Sequence, residues 1–208
     1  MPTLVAFETI TDLYQNLTQK YENSPKTAFA FKPSPNDEYK TVTWDTVKED
    51  VNALASYLID FGIEKDDRVA ILSENRYEWA IVDLAIQTVG AINVSLYTTL
   101  PPKQCEFILK DSEAKLFFVS TGIQLKKSVE VFDSCPDLKH VVAFDKPKVQ
   151  KYMDQKYVSL FESIRKTGAK TFPDNEEKIK NRSLEISLED ISTLIYTSGT
   201  TGNPKGAM

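Results

Sequence analysis

The 208 residues carry 30 acidic against 25 basic side chains, for a net charge of −5, and are 41% hydrophobic and 26% charged. That balance excludes a disordered or collagen-like chain, and the scattered or carboxylate-paired lysines exclude a nucleic-acid-binding face. A chain of this length buries roughly 70% of its extended surface, so its fold needs neither a disulfide nor a structural metal.

The first residues, Met1 to Phe7, have no basic segment followed by an apolar run, and no stretch approaches the roughly 18 apolar residues of a membrane span. Apolar residues at Ile10, Leu13, Tyr14, Leu17 and Tyr21 predict an amphipathic helix that Pro25 stops. Two short β-prone runs, Ala28 to Phe31 and Tyr39 to Val42, flank the turn formers Pro33, Pro35, Asn36 and Asp37, which predicts a hairpin. Thr43 is placed to cap a helix whose apolar stripe is Val47, Val51, Leu54, Ala55, Leu58 and Ile59, with Gly62 as the left-handed terminator.

A strand at Arg68 to Leu72, a helix at Tyr77 to Val89 ended by Gly90, and a strand at Ala91 to Leu96 predict a parallel unit. The alternation continues with a helix from Pro101 and Pro102 to about Lys110, a strand at Leu116 to Val119, a helix near Gln124 to Phe132 and a strand at His140 to Phe144. The expected class is therefore α/β, with a mostly parallel sheet and flanking helices. Ser159 is expected to open a short helix through Ile164. Lys166 to Arg182, rich in Lys, Glu, Asp and Asn with no apolar period, is read as an exposed connection. Ile191 to Tyr196 reads as a buried strand, followed only by loop.

Cys105 and Cys135 lack ligand-spaced partners and read as buried thiols of a reducing, cytoplasmic compartment. His140 has no carboxylate or serine beside it in sequence, Trp44 and Trp79 sit at packing positions, and the pairs Asp66-Asp67 and Glu176-Glu177 are expected in solvated turns. No residue of these 208 is expected to be catalytic.

Three of the seven glycines fall within the last ten residues, in the run Tyr196-Thr-Ser-Gly-Thr-Thr-Gly-Asn-Pro-Lys-Gly206. Glycines allow consecutive N–H groups to converge, and the hydroxyls of Thr197, Ser198, Thr200 and Thr201 with the Lys205 ammonium add donors suited to a polyphosphate. Pro204 stands where a Walker loop needs glycine before its lysine, and no Gly-x-Gly-x-x-Gly exists, so this is a different phosphate loop. Gly, Ser and Thr clusters also make plain solvated turns, but eleven ordered residues behind a buried strand argue against that reading.

This string is similar to the signature of the adenylate-forming superfamily, as are Leu188 to Tyr196, Asp67-Arg-Val-Ala-Ile71, Asn75 and Glu78-Trp79. Asp83-Leu-Ala-Ile-Gln87, Gly90-Ala91 and Ser95-Leu-Tyr-Thr-Thr-Leu100 most resemble the long-chain acyl-CoA synthetase branch, with Ser95 and Thr98 in place of its usual prolines. The resemblance implies that residues 1–208 are the N-terminal part of an adenylation domain ending in the phosphate loop 196–206. It implies activation of a long-chain fatty acid to acyl-AMP and then acyl-CoA, using ATP, magnesium and coenzyme A. Thr197, Ser198, Gly199, Thr200, Thr201, Gly202, Lys205 and Gly206 would bind the nucleotide phosphates, with Thr201 reaching magnesium through them. The family's adenine, ribose and hinge segments and its mobile C-terminal domain follow downstream, so these residues alone are expected to make no acyl-AMP. Small-molecule substrates and peripheral membrane contact are the implied partners. With no strand expected after Tyr196, Thr197 to Met208 would be disordered or leave a sheet edge through which copies associate. The alternative is a non-enzymatic binding module derived from the same domain.

Overall fold

The computed structural model describes residues 7–33, 36–146, 152, 154–197 and 204–208. A capped helix α1 (Ile10–Lys20) opens the described residues, with Thr9 Oγ1 accepting from Asp12 N and the Asp12 carboxylate accepting from Thr9 N. The hairpin β1 (Thr27–Phe31) and β2 (Lys40–Thr43) is antiparallel as predicted. Helix α2 (Trp44–Phe61) begins where Thr43 Oγ1 accepts from Thr46 N, and ends at Gly62, whose φ of 90° a side chain would resist.

Strand β3 (Arg68–Leu72), α3 (Tyr77–Thr88), β4 (Ile92–Leu96), α4 (Pro102–Asp111), β5 (Leu116–Val119), α5 (Gly122–Val131), β6 (His140–Ala143) and β7 (Val158–Leu160) follow in order. The chain then runs through α6 (Phe161–Leu184), β8 (Thr193–Thr197) and β9 (Lys205–Ala207). The larger sheet has the order β7-β6-β5-β3-β4-β8-β9, parallel throughout except for the antiparallel pair β8–β9. β3 beyond Arg68 and all of β5 are buried, because helices cover both faces. Val69, Ile71, Leu116 and Phe118 pack toward α2, α3 and α6, while Ala70, Leu72, Phe117 and Val119 pack toward α4 and α5.

Two sequence expectations are overturned here. The segment from Lys166 to Arg182 is not an exposed connection but the body of α6, a 24-residue helix that also carries Glu176 and Glu177. It docks along α2 through a stripe that hydropathy does not register. Gly168 lies so close to Ala53 that an added Cβ would sit 1.9 Å from its carbonyl oxygen. Thr171 and Asn175 bond to Ser56 at 2.8 and 2.9 Å, and Ile164 and Ile179 are buried on either side. Arg165 reaches Asp50 of α2 at 2.7 Å, and Tyr77 of α3 donates to the other oxygen of that carboxylate at 2.9 Å, tying three helices together. This packing outweighs the interior Pro173, which deprives the helix of one hydrogen bond.

Residues beyond Tyr196 are likewise not all loop, since Lys205–Ala207 pairs with β8 in the register Ile195↔Ala207, Tyr196↔Gly206 and Thr197↔Lys205. The strand expected to be missing after the loop is therefore supplied by these residues, which anchor the end of the chain. Lys-Gly-Ala has no β pattern of its own and forms a strand only because β8 offers an edge.

Candidate functional site

Strands β8 and β9 make a hairpin whose connection is residues 198–204, a span that holds the glycine- and hydroxyl-rich run. Its ends are held one strand spacing apart, about 4.8 Å, by the Thr197↔Lys205 pair. Because opposed residues of an antiparallel pair share a face, Lys205 and Thr197 project from the same side of the hairpin at the mouth of the loop. Lys205 is exposed and makes no ion pair among the described residues. Gly206 lies on the opposite face, under the ring of Tyr196. Of the predicted phosphate-binding residues, Thr197, Lys205 and Gly206 are thus brought together, while Ser198, Gly199, Thr200, Thr201 and Gly202 lie outside the described residues. The magnesium assignment to Thr201 falls there too.

The hairpin stands at the carboxyl end of the sheet beside a change of direction. The helix after β3 covers one face and the helix after β4 covers the other, and such a switch point opens a crevice between the strands. A groove of about 640 Å³ lies there, with Glu74, Trp79, Asp83, Asn93 and Thr193 on its walls. β4 and β8 line it with Asn93, Ser95, Thr193 and Ile195 on the α3 face, where β3 and β5 present Val, Ile, Leu and Phe.

The groove's polar groups are held in a network. Asn93 Nδ2 donates to Asp83 at 2.6 Å, Gln87 Nε2 donates to the Ser192 carbonyl at 2.9 Å, and Ser192 Oγ returns a bond to Gln87 at 3.1 Å. Burial pushes the Asp83 pKa upward, and the bonds from Asn93 and Gln87 only partly offset it. At Glu74, burial also opposes ionisation, but bonds from Ser120 and Gln124 and the charge of Arg76 overcome it, so its pKa lies below the ordinary range.

These signs lead to a pH prediction. A carboxyl whose folded pKa is raised destabilises the fold once the unfolded chain would ionise, so the penalty is absent below the unfolded value near 4, grows as pH rises from there to the folded value, and is complete above it. Asp83→Asn, which keeps an acceptor for Asn93, is expected to raise the melting temperature at pH 7 and not at pH 3. Thermal melts at both values check it, and an equal change at both would show that ionisation is not involved.

A family model described as AMP-binding enzyme matches residues 17–208. The chain belongs to the AMP-binding enzyme family. A long-chain-fatty-acid–CoA ligase of Mycobacterium bovis is 36% identical over 167 residues, which is 79% of this chain and 26% of that protein. A fatty acyl-CoA synthetase of Dictyostelium discoideum is 32% identical over 178 residues, covering 82% of this chain and 25% of its own length. The crystal structure of an anthranilate CoA ligase in complex with anthranoyl-AMP superposes with a TM-score of 0.68 and 25% identity, over 98% of this chain and 35% of that one. The chain spans about a quarter of the length of the curated relatives it matches. The α/β fold with a mostly parallel sheet is the one expected from the resemblance.

Other residues of this AMP-binding domain resolve as follows. Cys105 and Cys135 are buried free thiols, each pushed up to about 11 by burial. Trp44 stacks on Tyr21, a packing role, whereas Trp79 packs on the core and also lines the groove. His140 does have a serine partner: its Nε2 lies 2.8 Å from Ser159 Oγ, because β6 and β7 are adjacent although 19 residues separate the two. Burial lowers the His140 pKa. Asp67 is not solvated but buried, accepting from Lys115 Nζ at 2.7 Å and from Glu64 N at 2.8 Å.

Proposed function

We propose that this chain supplies the phosphate-holding part of an AMP-forming acyl-CoA ligase that activates a fatty acid, with long-chain acids as its substrates. The observation that carries the proposal is the hairpin, which fixes both ends of the glycine- and hydroxyl-rich loop and sets an unpaired ammonium, Lys205, at its mouth. The relatives named as long-chain ligases and fatty acyl-CoA synthetases support the acyl class.

In this reading a carboxylate oxygen attacks the α-phosphorus of ATP, the bond to the β-phosphate oxygen breaks, and pyrophosphate leaves. The acyl group then passes from AMP to the thiol of coenzyme A. The loop's task is to offer donors where negative charge grows on the leaving group, which lowers the barrier only if they are in place beforehand. We assign that task to Thr197, Ser198, Gly199, Thr200, Thr201, Gly202 and Lys205, the last acting as a point charge on a flexible stem. Gly206 serves by leaving room for the Tyr196 ring. Magnesium, when bound, would neutralise charge on the β- and γ-phosphates, with Thr201 the residue assigned to reach it. Chemically the residue types fit that ion and the triphosphate, since the run from Thr197 to Gly206 is rich in hydroxyls and Lys205 is exposed without an ion pair among the described residues.

Titration of the isotope-labelled chain with magnesium pyrophosphate tests the assignment. Amide signals of Thr197, of residues 199–202 and of Lys205 are expected to shift together with one saturating affinity. Signals unmoved up to millimolar ligand, or shifts confined to another surface, would overturn it.

A further inference from the structure

We infer that Tyr196 is a positioning residue for the phosphate loop, latching the β8–β9 hairpin to the end of α4 through Asp111. Its hydroxyl donates to Asp111 Oδ2 at 2.7 Å. Its ring lies over Gly206, its register partner on the other strand, where an added Cβ would come within 3.3 Å of ring atom Cζ. One side chain therefore touches both strands of the hairpin and the helix beneath them, and it is only 6% exposed although β8 lies next to the edge strand.

The hairpin needs such a tie. β9 is three residues long, all of them exposed, and its described pairing is to β8. A cavity of about 290 Å³ lies between α4 and the hairpin, walled by Tyr97, Gln104, Tyr196, Thr197 and Pro204, so a released hairpin has room to shift. Burial first, and then the Asp111 carboxylate, raise the phenol pKa, so the hydroxyl stays a donor throughout the neutral range. The inference rests on the phosphate-holding reading for its functional meaning, but not for the latch itself.

Tyr196→Phe keeps the ring on Gly206 and removes only the bond to Asp111, so it separates latching from packing. In the 208-residue chain this variant is expected to speed amide hydrogen exchange at Lys205 to Ala207 by about tenfold, the scale of one charge-assisted hydrogen bond. Exchange in β3 and β5 should stay unchanged, and affinity for magnesium pyrophosphate should fall about fivefold, the hairpin having to be re-ordered on binding. Asp111→Ala should act in the same direction, and the double variant should exceed neither single one, because both remove the same bond. Unchanged exchange at Lys205 to Ala207, acceleration spread evenly over β3 and β5, or faster exchange with unaltered pyrophosphate affinity would each overturn the inference. If the unaltered chain binds no pyrophosphate, the phosphate-holding reading fails, and exchange at Lys205 to Ala207 still decides whether the latch exists.

Discussion

Lys205→Ala, placed in a ligase that carries these residues, is expected to slow acyl-AMP formation by about 10²- to 10³-fold, the usual loss when a preorganised donor to developing charge is removed. Thr201→Ala should act in the same direction. The reason lies in timing: charge grows on the departing pyrophosphate only while the acyl–phosphate bond forms, so the loop has nothing to stabilise once AMP carries the acyl group. Thioester formation from preformed acyl-AMP should therefore stay close to normal. Lys205→Arg should recover part of the loss, because it keeps a charge at the mouth of the loop on a different geometry. Acid-dependent exchange of labelled pyrophosphate into ATP, set against single-turnover thioester formation, separates the two steps. A defect confined to the coenzyme A step would assign the loop a different role.

The largest stability effect is expected at Gly168. A Cβ there would lie 1.9 Å from Ala53 O and 2.9 Å from Ala53 C, both backbone atoms that cannot swing aside, so α6 would have to lift from α2. Gly168→Val is expected to cost about 3 kcal/mol, at the upper end of ordinary overpacking. In a domain of this size that lowers the melting temperature by about 10 °C. Gly62 provides the control, because its φ of 90° is unfavourable to a side chain although nothing lies within 4 Å of the added atom. Gly62→Ala should cost about 1 kcal/mol, from backbone strain alone. Equal losses at the two positions would show that the α2–α6 approach is looser than described.

The elements legible in the sequence are those whose signal is apolar or local. Leu116 to Val119 reads as a strand because both its faces are covered, and α2 reads as a helix because Thr43 and Gly62 bracket a single apolar stripe. Helix α6 escaped because its docking face is built from smallness and hydrogen bonding, at Gly168, Thr171, Asn175 and Ser183, and no hydropathy period records a close backbone approach. The run proposed to hold phosphate stands out in the sequence by its density of glycines and hydroxyls. The groove does not, although Asp83 and Gln87 fall in a segment that resembles the family and Asn93 lies between two others. Their common purpose depends on Ser192 and Thr193 arriving beside β4, which sheet order decides and sequence spacing does not. Asp67 was misjudged for the same reason, since Lys115 reaches it from beside a neighbouring strand, and the contact of His140 with Ser159 is likewise made by strand adjacency.

The path of α6 also sets an order of events in time. It leaves β7 at one edge of the sheet and delivers β8 to the far side of β4, so Thr193 meets Asn93 across 100 residues of chain. Closing so long a loop brings no reward until the helix has crossed, whereas β3, α3 and β4 assemble from near neighbours. The strand that leads into the proposed phosphate loop is thus expected to join the sheet last and leave it first. Interactions made that late retard unfolding without hastening folding, so a bound polyphosphate would lengthen the lifetime of the native state while leaving the rate of its formation as it was.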